Sequence, residues 1–151
     1  MSEYQVEKLR AEVTIYLVDG QERSGVLFLS PLSSTHSGPQ TLIELLHEVE
    51  PFVPFLRNDQ EFFLLNKKQI SHVKYQPIES DLPAIGEPAN VTITFVNGKQ
   101  LSGTTILQTP EGKGRMQDFL NGKPGYFSLD CGSGEFYLVN PRVIIEVADI
   151  K

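Results

Sequence analysis

The chain of 151 residues is 40% hydrophobic and 21% charged, with a formal net charge of −6, a balance found in folded globular proteins rather than disordered ones. Its negative field repels phosphate and anionic lipid unless a local basic patch offsets it. A single cysteine excludes an internal disulfide, no apolar run approaches the ~20 residues that cross a bilayer, and the start has no apolar signal core. A cytoplasmic protein without membrane contact is the expectation.

Residues 1–12 read as an N-terminal segment, with a short helix expected over Glu3–Arg10. From Val13 the apolar residues alternate through Ile15 and Leu17, the period of a half-buried strand. Asp19-Gly20 then supplies the backbone freedom of a tight hairpin turn. A second strand is expected through Val26–Leu29, with Gly25 at its start marking a bend or bulge. Thr41–His47 spaces its apolar residues like a short helix that leaves Glu44 outward, and three short strands follow near 52–56, 62–66 and 69–75. Residues 76–90, with Pro77, Pro83 and Pro88 among acidic residues, read as an extended linker.

The same pattern then returns. Val91-Thr92-Ile93-Thr94-Phe95-Val96-Asn97-Gly98 followed by Ser102-Gly103 repeats Val13–Gly20 and Ser24-Gly25 at an offset of 78 residues. After one four-residue deletion the offset is 74, aligning Arg115–Leu120 with Thr41–Leu46, Phe136–Asn140 with Phe62–Asn66, and Ile144 and Val147 with Ile70 and Val73. Strands are expected at Thr104–Leu107 and near 126–129, 136–140 and 143–148. The chain is therefore read as a first copy at 13–75 and a second at 91–148.

Five short strands per copy, a hairpin with glycines five apart (Gly20/Gly25 and Gly98/Gly103), and a closing strand, turn and strand (Phe62–Val73 and Phe136–Val147) resemble the Sm-like barrel family. The resemblance implies a mainly β fold of two repeated five-stranded Sm-like or SH3-like open barrels, each with a short inserted helix. Members of that family bind single-stranded RNA in rings, through an Asp/Asn pair after the second strand and an Arg-Gly pair in the last turn. This chain has Ser30-Pro31-Leu32 and Gln108-Thr109-Pro110 at the first place, and Asn66-Lys67-Lys68 and Asn140-Pro141-Arg142 at the second. The resemblance thus carries the fold but not the RNA pocket. It also implies pairing between the fourth strand of one barrel and the fifth of its neighbour, with one such junction inside the chain and free edges left at its ends. If those ends close a ring, about three chains would complete it.

Catalytic chemistry is sparse. His36, His47 and His72 have no metal-ligand spacing and read as surface or partly buried residues, His72 on the outward alternation of its strand. Cys131 in Asp130-Cys131-Gly132-Ser133-Gly134 reads as a loop thiol, and Gly112-Lys113-Gly114-Arg115 as an ordinary glycine-rich loop. Asn66 and Asn140 are expected to adopt the left-handed conformation in their turns. Lys68 and Arg142 have no evident local duty, so Asn66, Lys67, Lys68, Asn140 and Arg142 form the candidate ligand or partner site. No catalytic residue, metal or cofactor is expected. The leading reading is a non-catalytic scaffold module that self-associates and meets an unknown protein partner. Divergent single-stranded RNA binding is the alternative, disfavoured by charge, and an enzyme built on Cys131 or the glycine loop is the weakest.

Overall fold

The computed structural model describes residues 8–78, 81, 86–107, 116–122 and 124–150. Ten strands form a single antiparallel sheet: β1 (Leu9–Leu17), β2 (Glu22–Leu29), β3 (Phe52–Arg57), β4 (Phe62–Asn66), β5 (Ile70–Tyr75), β6 (Glu87–Phe95), β7 (Gln100–Leu107), β8 (Phe127–Asp130), β9 (Phe136–Val139) and β10 (Ile144–Asp149). Two short helices, α1 (Leu42–Leu46) and α2 (Met116–Asn121), lie between the second and third strands of each half. The sheet order is β10-β6-β7-β8-β9-β5-β1-β2-β3-β4. Each half thus places its fifth strand beside its first and follows with the second, third and fourth. The halves meet where β9 pairs with β5.

The hairpins form as their turn residues dictate. Gly20 and Gly98 have φ of 92° and 87°, which glycine adopts without a Cβ penalty. Asp19 and Asn97 each accept the N–H two residues on, from Gln21 and Lys99, at 3.0 Å. The α1 helix is held by a capping box: Thr41 accepts from the Glu44 N–H at 3.2 Å and its own N–H donates to the Glu44 carboxylate at 2.9 Å. Glu44 consequently folds back onto the helix start instead of pointing outward.

Several boundaries differ from the sequence reading. Leu9 and Arg10 belong to β1, not to an N-terminal helix, because they continue the ladder opposite Leu29 and Phe28; residues 1–7 lie outside the described residues. The linker yields to β6 at Glu87, which pairs with Leu107. Gly25 and Gly103 are the fourth residues of β2 and β7, not their starts. Neither has a left-handed φ; a Cβ on Gly25 would lie 2.2 Å from the Leu56 carbonyl oxygen, and one on Gly103 2.6 Å from that of Asp130. Close approach of the next strand, and not backbone strain, requires these glycines.

Among the described residues, two apolar clusters form the core. One gathers Val13, Ile15, Leu27, Phe55, Ile70 and Val73 with α1; the other gathers Val91, Ile93, Phe95, Phe127 and Leu129 with Met116 of α2. The clusters exchange side chains across the junction. Tyr126 and Leu138 of the C-terminal half belong to the first, and Tyr16 of the N-terminal half packs on the second.

Candidate interaction site at the junction

Where β5 meets β9, Asn140 directly follows β9 and is 4% exposed. Its N–H donates to the Ser71 carbonyl at 3.0 Å and its Nδ2 to the Ile70 carbonyl at 2.8 Å, while its Oδ1 accepts from the Arg142 N–H. Asn66 caps the corresponding 3₁₀ turn Lys67–Gln69 in the same way, through Oδ1 and the Lys68 N–H at 3.0 Å. Both asparagines have negative φ, −76° and −88°, so the left-handed expectation fails. Each caps a 3₁₀ turn, where an extended backbone aims the side-chain oxygen at the second N–H.

The junction brings most of the candidate residues together. Lys67, Lys68, Asn140 and Arg142 line a cleft of about 370 Å³ with His47, Glu48, Glu50 and Tyr126. Asn66 sits behind it, holding the turn that carries the lysines. Lys67 Nζ donates to the Glu48 carbonyl, and the Tyr126 hydroxyl donates to the Lys67 carbonyl at 3.2 Å. Lys68 and Arg142 are exposed. His47 has its pKa lowered, chiefly by desolvation and further by Lys67, which keeps it neutral at pH 7. Three cations thus face two carboxylates around one neutral imidazole, an arrangement fit for a polar or weakly anionic contact.

Sequence reasoning missed the other half of the junction. His72 is 3% exposed rather than outward, because Tyr16, Phe95 and Tyr137 pack around its ring and cover the face it would otherwise turn to solvent. Its ring lies between Tyr16 and Phe95, at centroid distances of 4.4 and 4.6 Å, and Nδ1 bonds the Ser71 hydroxyl at 2.8 Å. Desolvation first, then Lys99, lowers its pKa to about 4. Only side chains from distant strands hide this residue, so no local pattern could have announced it.

The remaining reactive groups stay apart. Burial, then Glu135 and Asp130, push the Cys131 thiol up to about 11, so it is protonated at neutral pH and a poor nucleophile. His36 bonds Glu44 at 2.8 Å in a polar cluster with Ser33 and Thr35. Burial alone would raise the Glu44 pKa, but hydrogen bonds from Thr35, Thr41, Ser33 and His36 outweigh it and bring the value to about 2. Among the described residues, no group of three or more His, Cys, Asp or Glu side chains could hold a metal ion, and no helix is long and apolar enough to cross a membrane. Gly112–Arg115 lies outside the described residues.

The sheet ends in two strands with one neighbour each among the described residues, β4 and β10. Both carry exposed apolar side chains: Phe62 at 66%, Leu64 at 69% and Ile145 at 58%. A search of protein-family models, curated proteins and solved structures finds nothing that matches this chain.

Proposed function

We propose that the chain is a non-catalytic scaffold module, two copies of one Sm-like or SH3-like open-barrel unit, that works by self-association and protein contact. The shared strand order of the two halves supports the duplication. So do the matching hairpins, in which Val13 faces Gly25 and Val91 faces Gly103. The observation that carries the function is the pair of sheet edges with one neighbour each among the described residues, β4 with exposed Phe62 and Leu64 and β10 with exposed Ile145 beside Glu146 and Asp149. An unpaired edge presents a row of free N–H and C=O groups and must be blunted or paired; β4 contains no lysine, proline or acidic residue. Light scattering on a sizing column at micromolar concentration tests the reading. A mass above the 16.9 kDa of one chain that rises with concentration is expected, and a 16.9 kDa species throughout would refute it.

A further inference from the structure

At the end of β5 away from the lysine turn, four strands contribute one row of side chains. Tyr75 of β5 faces Phe136 of β9, Phe136 faces Asp130 of β8, and Asp130 faces Thr104 of β7. Residues directly opposite one another in neighbouring strands project from the same face of a sheet, and two residues along β7 that face also carries Ile106. With Pro77 and Asp81, from the segment that leaves β5, this row lines a cavity of about 400 Å³, a size that suits a small molecule. None of its lining residues lies on β4 or β10, so the site stands whether or not chains associate.

The chemistry of the cavity is one-sided. Tyr75, Phe136, Ile106 and Pro77 give it apolar walls, and its charged lining residues are Asp81 and Asp130, with no lysine, arginine or histidine beside them. Each carboxylate has one oxygen engaged: Asp81 Oδ2 accepts the Ile78 N–H at 2.8 Å and Asp130 Oδ1 accepts the Gly132 N–H at 2.9 Å. Among the described residues, the second oxygen of each receives no donor. An independent observation comes from Tyr75, which is 4% exposed and whose hydroxyl has no hydrogen-bond partner among the described residues. That hydroxyl lies close enough to Asp81 for the carboxylate, after burial itself, to raise the Tyr75 pKa, so it points toward the wall that Asp81 forms. A buried hydroxyl left unpaired costs free energy that an entering polar group recovers. Burial likewise raises the Asp81 pKa; the Ile78 N–H opposes the rise, Glu44 adds to it and His36 opposes it. A positive group beside Asp81 would offset that burial. A metal ion suits the site poorly, because among the described residues no three His, Cys, Asp or Glu side chains gather to hold one and the remaining walls are apolar.

We propose that this cavity binds a small organic cation, an ammonium group carried on a short aryl or alkyl body. The ammonium is held by Asp81 and the Tyr75 hydroxyl, and Asp130 adds to the field that attracts it. The body covers Phe136, Ile106 and Pro77, and the aromatic faces favour the positive charge further. A free amine and a lysine side chain from a partner protein share this chemistry.

Isothermal titration calorimetry on the full chain tests it with 2-phenylethylammonium chloride as the probe. Saturable binding is expected, at least about tenfold tighter than that of neutral 2-phenylethanol, which has the same body without the charge. Asp81→Asn and Asp130→Asn each keep an oxygen for the Ile78 or Gly132 N–H and remove the charge; the first should weaken binding roughly tenfold and the second about threefold. Tyr75→Phe keeps the buried ring and should weaken binding about threefold to tenfold; if it unfolds the chain, Asp81→Asn decides. Glu61→Gln removes the same charge from the exposed β3–β4 turn and should leave binding unchanged. A lysine tripeptide with blocked ends separates the two sources: competition with the amine assigns the site to a partner's side chain, and failure to compete assigns it to a free amine. No saturation up to about 10 mM amine, equal affinity for the alcohol, or binding that ignores both Asp81→Asn and Asp130→Asn overturns the assignment while leaving the scaffold reading intact.

Discussion

Replacing Gly25 with alanine tests how tightly β2 and β3 approach. The new Cβ would lie 2.2 Å from the Leu56 carbonyl oxygen, 2.7 Å from the Phe55 ring and 2.9 Å from the Arg57 Cα. Two of those three atoms belong to the backbone, so no side-chain rotation relieves the overlap and β3 must move. The displacement strains the pairs Val26–Leu56 and Leu27–Phe55 and disturbs Phe55, which is fully buried. Overpacking costs about 1–3 kcal/mol, and each weakened hydrogen bond roughly another 1 kcal/mol. A loss of about 3–4 kcal/mol is therefore expected, a large part of a typical domain's stability. Gly103→Ala is milder, roughly 1–2 kcal/mol, because its closest contact is 2.6 Å and the paired residues of β7 and β8 are only Thr104 and Asp130. Urea unfolding followed by far-ultraviolet circular dichroism measures both variants. A Gly25→Ala protein within about 0.5 kcal/mol of the parent, or a Gly103→Ala protein that loses more than Gly25→Ala, would refute the reasoning.

Three further outcomes follow from the same geometry. His72 has a folded-state pKa of about 4 against an ordinary 6.5, so the unfolded chain takes up its proton first and stability falls by about 3 kcal/mol as pH drops through that window; His72→Phe should flatten this part of a urea-midpoint profile, and an unaltered profile would count against a buried neutral imidazole. The Glu44 contribution is present above its ordinary 4.5 and is lost as pH falls toward about 2, while His36, with its pKa raised above 6.5 by the Ser37 carbonyl and then Glu44, contributes below that elevated value; the stability difference between parent and Glu44→Gln should therefore be greatest between pH 4.5 and 6.5, and a difference independent of pH would dismiss the pair. Single-stranded RNA should bind weakly or not at all at physiological salt, given the net charge of −6; sub-micromolar anisotropy binding of uridine- or adenine-rich oligomers, lost on replacing Lys67, Lys68 and Arg142, would favour the RNA alternative.

What the sequence disclosed was local. The hairpins at Asp19-Gly20 and Asn97-Gly98 were legible because alternation and turn chemistry both act over a few residues, and the short helices because apolar spacing does too; the capping box that turns Glu44 back onto Thr41 was not read. The N-terminal extension of β1 was not, since Leu9 and Arg10 become strand only by pairing with Leu29 and Phe28. Burial of His72 was hidden for the same reason: alternation assumes one wet face, and the face that carries His72 is covered by Tyr16, Phe95 and Tyr137 from distant strands. The candidate turns were picked out by Lys68 and Arg142, and the asparagines beside them were misread. Asparagine was taken for a backbone preference, whereas Asn140 serves a carbonyl on a strand 70 residues away in sequence.

Amide hydrogen–deuterium exchange on the intact chain, compared at low and high protein concentration, reports whether the sheet edges pair between chains. Peptides covering Phe62–Asn66 and Ile144–Asp149 should gain protection only at high concentration, while Ile70–Tyr75 and Phe136–Val139 should be protected at both. Exchange at β4 and β10 that is independent of concentration, or new protection confined to other strands, would contradict it.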